Sequence, residues 1–148
     1  MQESSLLIRK YHKNDQQRLV SLWKVCKLTV PWNNPYIDIA RKLNVQPDLF
    51  LVGYLEENLI ASVMAGYDGH RGWINYLAVH PDFQAMGFGK HLMNDVENKL
   101  YELGCPKINL QIREGNEKVL SFYQKLGFVE ENRISMGKRL QDDQQTSS

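Results

Sequence analysis

The stretch Gln84-Ala85-Met86-Gly87-Phe88-Gly89-Lys90 lies between an apolar run ending at Val79-His80-Pro81 and a helical repeat that begins at Leu92. Glycine lets a backbone turn sharply and lets a ligand come close. Between a strand and a helix start, two glycines leave several N–H groups without partners, and the positive helix end adds to their attraction for phosphate oxygens. The same glycines would also serve a tight connection with no ligand. Lys90, one residue into the helix, could meet a phosphate from the side or stand in solvent. Other phosphate loops fit less well. A Walker A loop needs a lysine–hydroxyl pair after its last glycine, and none follows here. A dinucleotide fingerprint wants glycine where Gln84 stands, and an acidic end to the next strand where Asn109 and Gln111 make an amide-rich one.

Further groups could carry or support chemistry. Tyr123 continues the apolar stripe of Val119, Leu120 and Leu126, and its ring can pack while its hydroxyl reaches a cleft. Asp68 and His70 precede an apolar strand. The imidazole of His70 suits proton transfer near neutrality, although Asp68-Gly69 also reads as turn chemistry. Asn75 and Tyr76, in the middle of that strand, face opposite sides, so one of them could look into a cleft while the other packs or pairs elsewhere. Glu114 is a further possible base, and His80 reads as a turn residue. Trp32, Asn33 and Asn34 form a polar-aromatic knot between two short helices, either a lid over a substrate or a plug fixing those helices. Cys26 and Cys105 make no CxxC pair and no zinc-like cluster with the four histidines. Both read as free thiols, and no metal is expected.

The elements that would position these groups follow from periodicity. Leu6–Tyr11 reads as a first strand. Asn14 with Gln17 offers a capping box for a helix to about Lys27 that carries Leu19, Trp23 and Cys26. Asn34-Pro35 starts a second helix. Leu49–Leu55 and Leu59–Tyr67 form a hairpin, and Trp73–Val79 is a nearly continuous apolar strand central to the sheet. Leu92, Val96, Leu100 and Leu103 repeat at helical spacing up to Gly104. Lys107–Arg113 alternates as a strand, Asn116 caps a helix that Gly127 ends, and "FVEENRISMGKRL" supplies one or two last strands. The order β-α-α-β-β-β-α-β-α-β(-β) predicts a mixed α/β (α+β) fold, its mostly antiparallel central sheet flanked by helices. Residues 1–140 make one domain, and the polar tail 141–148 is expected to be mobile.

Val79-His80-Pro81 followed by Gln84-Ala85-Met86-Gly87-Phe88-Gly89 resembles the V-x-P-x-x-[QR]-x-x-G-x-[GA] signature of the GCN5-related N-acetyltransferases (GNAT), and the likeness extends over nearly the whole chain. A second element agrees with it in order and distance: Asn116, Tyr123, then Gly127-Phe128. The resemblance implies acetyl-CoA as co-substrate. Its pyrophosphate would be wrapped by the amides from Gln84 to Lys90, and its pantetheine arm paired by backbone around Leu77 and Val79. Asn116 would lie on the pantetheine side, Tyr123 near the thioester sulfur as acid to the leaving thiolate, and a strand N–H near Val79 at the carbonyl oxygen. The region of Trp32, Asn33 and Asn34 would close over the acceptor side. Apart from the resemblance, Asp68 or His70 could line that acceptor cleft or take a proton through water. The expected function is acetyl transfer to a primary amine, a small molecule or a peptide, by direct attack. A non-catalytic acyl-CoA binding or sensing module on the same scaffold is the alternative.

The bulk numbers set limits. A chain of 148 residues with 43% apolar residues supports one domain with a sizeable core. A net charge of +1 gives no reason to expect a nucleic-acid partner. The N-terminus carries only a short apolar run, unlike a signal peptide, and no window reaches the length of a membrane span. A cytoplasmic protein is the expectation, and an exposed sheet edge or the last strands could pair across a homodimer.

Overall fold

The computed structural model describes residues 5–143. A sheet of five strands runs in the order β1 (Leu7–Lys10), β2 (Phe50–Leu55), β3 (Asn58–Tyr67), β4 (Gly72–Val79), β5 (Ile108–Leu110). The first four pair antiparallel and β5 runs parallel to β4. Among the described residues four α-helices cover its faces: α1 (Gln16–Val25), α2 (Pro35–Lys42), α3 (Phe88–Glu102) and α4 (Glu117–Lys125). This is the mixed, mostly antiparallel architecture that the periodicities predict.

Each face of the sheet has its own core. On one side Leu92, Met93, Val96 and Leu100 of α3 join Tyr123 of α4 over Leu51, Ile60, Val63 and Ile74. The spacing of the α3 residues puts them on one stripe, which explains why this helix docks flat. On the other side Leu19, Val20, Leu22 and Trp23 of α1 and Ile39 of α2 pack over Phe50, Val52 and Met64. The α2 start is as expected, with the Asn34 side chain accepting from the Tyr36 N–H at 3.0 Å and Pro35 in the first turn.

The first helix begins differently from the expected Asn14–Gln17 box. A 3-10 turn over Lys13–Asp15 precedes it, and Asp15 closes the box by accepting from the His12 N–H at 2.8 Å. Asp15 wins because it is buried and must be fully paired. It takes two bonds from Arg9, at 2.8 and 2.9 Å, and one from the Tyr54 hydroxyl at 2.6 Å.

The C-terminal segment departs further. Among the described residues no strand follows β5. Val129, Ile134, Met136 and Leu140 are 78–90% exposed, so the alternation of 134 and 136 finds no face to bury. Side-chain bonds tie the segment to β5 and the residues flanking it, from Lys107 and Asn109 to Glu131 and from Gln111 to Ser135. The chain is then drawn across to the helices, where Arg139 donates to Asn33 Oδ1 at 2.7 Å and Arg41 grips Asp143. Residues 141–143 of the expected mobile tail are therefore docked, with Asp143 buried. The rest of that tail lies outside the described residues.

Candidate active site

The central feature is where β4 and β5 part. Their parallel pairing covers only Gly72–Ile74 against Ile108–Leu110. From Asn75 to Val79 the β5 side of β4 has no strand partner among the described residues, while β3 still pairs on the other side through Ser62–Ala78 and Ala61–Val79. The N–H of His80 donates to Ile60 of β3 at 2.7 Å. By strand alternation the backbone groups of Val79, and of Leu77 before it, point the other way, into the split. The Val79 carbonyl is met there by the Gln84 amide at 3.0 Å and the Cys26 thiol at 3.4 Å. Burial pushes that thiol up from its ordinary pKa, the opposite of what a nucleophile needs.

A turn then leads to α3. Pro81–Phe83 form a 3-10 turn in which His80 Nδ1 accepts from the Asp82 N–H at 3.1 Å, which makes His80 a turn residue as its sequence context indicated. Ala85 and Gly87 adopt left-handed conformations, φ 64° and 84°. Gly87 is the N-cap of α3 and offers no side chain to cap it, and no acid stands in the first turn. The earliest internal bond at this end is His91 N–H to Gly87 at 3.0 Å, so the N–H groups of Phe88, Gly89 and Lys90 have no carbonyl earlier in the helix to meet. Helix starts ordinarily attract acidic side chains. This one has Lys90 in its first turn, and Lys118 reaches Gln84 Oε1 at 3.1 Å, so cations stand where a dianionic ligand would need them.

The two glycines have separate causes. A Cβ on Gly87 would meet nothing within 4 Å, and its need is the left-handed φ. A Cβ on Gly89 would sit 3.0 Å from Cζ of Phe122, so its need is the close approach of α4. Met86 is 59% exposed on the loop's outer side, while Phe88 is buried beneath it.

From α4 comes Tyr123, 6% exposed and set edge-on between Phe122 and Phe128 at centroid distances of 5.0 and 5.4 Å. Burial pushes its phenol well above the ordinary tyrosine value. Asn116 caps this helix, accepting from the Val119 N–H at 3.3 Å, which leaves its amide N–H groups to face outward. Tyr123 also lines a cavity of about 810 Å3 along the outer edge of β5, floored by Leu110, Ile112 and Leu120 and rimmed by Glu131 to Met136. None of the residues from Gln84 to Lys90 lines it, so this groove is separate from the glycine loop.

The structure does not bring Asp68 and His70 to this place. They lie in the β3–β4 turn at the start of β4, and the split is at its end, roughly 20 Å along the strand at about 3.3 Å per residue. Asp68 is occupied there, accepting from the N–H groups of His70 and Arg71 at 2.8 and 2.7 Å and from the Trp73 indole at 3.1 Å, which holds its carboxyl below the usual range. It is the turn residue of the alternative reading. Trp32 is 55% exposed and so plugs nothing, and Asn33 is held by Arg139.

Two residues stand on the α1–α2 side of the split: Tyr76, one of the two mid-strand residues that could look into a cleft, and Asp38, which sequence reasoning missed. Tyr76 has φ 52° at a bulge where β4 slips register against Ser62 and Met64. It stacks on Trp23 at 3.9 Å, and its hydroxyl donates to Asp38 Oδ2 at 2.6 Å. Asp38 shows in the sequence only as one polar position of α2.

Comparison with known proteins bears on the family through sequence and on the fold through solved structures. The model of the acetyltransferase (GNAT) family matches residues 16–128. An acetyltransferase of Yersinia enterocolitica is 46% identical over 138 residues, 93% of this chain and 98% of its own length. One from Pectobacterium atrosepticum matches to the same extent. Among solved structures, Ard1 of Thermoplasma volcanium superposes with a TM-score of 0.72 at 23% identity, covering 84% of this chain and 82% of its own. An aminoglycoside 6'-N-acetyltransferase of Acinetobacter haemolyticus gives 0.74 at 16% identity, covering 91% and 99%. At such identities these structures speak for the fold alone.

Proposed function

The chain belongs to the acetyltransferase (GNAT) family, whose members work with acetyl-CoA, and from that premise we propose that it moves the acetyl group onto a primary amine by direct attack. The observation that carries this reading is the uncapped, acid-free start of α3 immediately after the open edge of β4. The N–H groups from Gly87 to Lys90 would hold the diphosphate of acetyl-CoA, with Lys90 and Lys118 at its rim. Leu77 and Val79 would align the pantetheine arm along the split, Asn116 bordering its path. When bound, acetyl-CoA supplies a thioester carbonyl activated toward amines.

The residues around that carbonyl have distinct tasks. The Val79 N–H faces the split and is the donor for the charge that grows on the carbonyl oxygen. The phenol of Tyr123 donates to the departing sulfur. Its raised pKa keeps the proton on oxygen at any ordinary pH, so the donor is always armed. Trp32 and Asn33 stand by the acceptor's approach from the α1–α2 side. The acceptor is a small-molecule or peptide amine, and neither a metal nor a covalent acetyl-enzyme is required. Among the described residues no group of His, Cys, Asp and Glu is arranged to hold a metal ion.

Calorimetric titration with acetyl-CoA, followed by thiol release with a panel of primary amines, tests the proposal. The expected results are one-to-one saturable binding and amine-dependent release. A folded sample that binds no acetyl-CoA refutes the cofactor site. One that binds it and acetylates nothing across a broad panel returns the chain to a binding module.

A further inference from the structure

Tyr76 is held in a conformation that L side chains rarely adopt, in mid-strand, and such strain persists only where the surroundings enforce it. Here they do so in layers. The Tyr76 carbonyl accepts from Ser62 Oγ at 2.9 Å, and Ser62 in turn accepts from the Trp23 indole N–H at 2.9 Å. Ser62 and Trp23 are fully buried, and the Trp23 ring lies over the Tyr76 ring at an interplanar angle of 13°. The bulge also changes the phase of the strand. Ile74 belongs to the α3–α4 core, and simple alternation would send Tyr76 the same way. Instead Tyr76 and Ala78 join the α1–α2 core, while Leu77 and Val79 join the other.

The result is a phenol hydroxyl carried to Asp38. That carboxylate is half-buried in the first turn of α2, and Tyr76 is the one hydrogen-bond donor to its side chain among the described residues. Arg41, the neighbouring cation, acts on Asp38 through its charge but commits its hydrogen bonds to Asp143 and Gln141. A carboxylate has about four acceptor positions, so Asp38 retains capacity for a further donor. It sits next to the stretch of β4 that β5 leaves open, on the face opposite Tyr123.

We propose that Asp38, presented by the strained Tyr76, receives the protonated amine of the acceptor, which enters from the α1–α2 face while the acyl donor lies toward the α3–α4 face. This rests on the acetyl-transfer reading and adds to it the residue that selects a cationic acceptor. Trp23, fully buried beneath the Tyr76 ring, fixes that ring and so the direction of its hydroxyl. Asp38 binds and orients the ammonium, which yields one proton to solvent before its nitrogen attacks; the second proton lost from nitrogen as the amide forms replaces the one that Tyr123 gives to the sulfur, and Tyr76 acts through Asp38 as a positioning residue.

The test needs no knowledge of the natural acceptor. CoA thioethers of matched length are titrated calorimetrically into the full chain, tipped with either methyl or ammonium: S-propyl against S-(2-aminoethyl), S-butyl against S-(3-aminopropyl), and S-pentyl against S-(4-aminobutyl). At one length the ammonium tip should bind about 10-fold tighter or more, the size of a charge-assisted hydrogen bond. Asp38→Asn keeps an acceptor for the Tyr76 hydroxyl and so preserves the packing. It should abolish the preference while leaving the methyl-tipped affinity unchanged, and Asp38→Glu should restore part of it. A bond that merely pins α2 to the sheet would not make affinity depend on tip charge. Absence of a preference at every length, or its survival in Asp38→Asn, overturns the proposal. If a folded sample binds neither the thioethers nor CoA itself, the acetyl-transfer reading falls and takes this one with it.

Discussion

Gly87 and Gly89 stand two residues apart in the loop that would hold the diphosphate, and replacing each should fail in its own way. At Gly87 an alanine meets no neighbour, so its cost is the left-handed backbone alone, about 1 kcal/mol for an L side chain. That strain can surface in two places. If the free loop keeps its shape, the fold loses about 1 kcal/mol. If the free loop relaxes, folding is spared, the ligand must restore the shape, and affinity for acetyl-CoA falls about fivefold. The two losses should together come to about 1 kcal/mol, read from urea unfolding and calorimetry on the same variant. Gly87→Asn separates strain from crowding, because asparagine tolerates the left-handed region better than alanine but is larger. The asparagine variant should therefore bind better than the alanine one. At Gly89 an alanine would press on Phe122 at 3.0 Å and should cost about 1–3 kcal/mol of stability through overpacking. Losing neither stability nor affinity in Gly87→Ala would refute the argument from φ, and Gly87→Asn binding worse than Gly87→Ala would show that a bound phosphate crowds that position.

Tyr123→Phe removes the donor to the leaving sulfur while keeping the ring between Phe122 and Phe128. Turnover should fall about 100-fold with acetyl-CoA affinity held, and equal turnover would withdraw the role. Because burial raises the Tyr123 pKa, the pH–rate profile should show no alkaline limb from this residue below about pH 10. Asp15 governs acid stability. Burial by itself would raise its carboxyl, but the bonds from Arg9, Tyr54 and His12 outweigh it and hold it at about 2 against an ordinary 3.8. A depressed folded value means stability that is complete above pH 4 and lost as pH falls through about 2, in all about 2 kcal/mol. Urea midpoints between pH 4 and pH 2 should drop accordingly, and Asp15→Asn should flatten that slope. An unchanged slope in the variant would place the acid sensitivity elsewhere.

Much of this arrangement is written locally and could be read. Asn34-Pro35, Asn116 and Gly104 mark helix ends because their chemistry acts within a few residues, and each stands in the structure where its spacing put it. The loop from Gln84 to Lys90 was legible for the same reason, since a strand, two glycines and a helix start follow one another along the chain. The C-terminal strands were not. Ile134, Met136 and Leu140 alternate well enough, but alternation asks for a face to bury, and the segment is instead drawn off by Arg139 to Asn33 and by Asp143 to Arg41, partners about a hundred residues away. Asp15 displaced Asn14 as the start of α1 for a comparable reason, because Arg9 and Tyr54 had to be satisfied.

The acceptor side shows the sharper form of that rule. Asp68 and His70 look like chemistry because carboxylate and imidazole sit together, yet adjacency in sequence placed them at the wrong end of β4. Asp38 and Tyr76 are 38 residues apart. Asp38 has no spacing that marks it, and alternation says only that Asn75 and Tyr76 face opposite sides, not which of them looks into the cleft. Only the bulge decides that, and the bulge is held by Trp23 and Ser62 from two other elements. The bulge holds no glycine to announce it. A site that grips a phosphate needs backbone, which follows the chain and can be read along it. A site that recognises an amine needs a side chain at one point in space, and here three elements packed against a fourth determine that point.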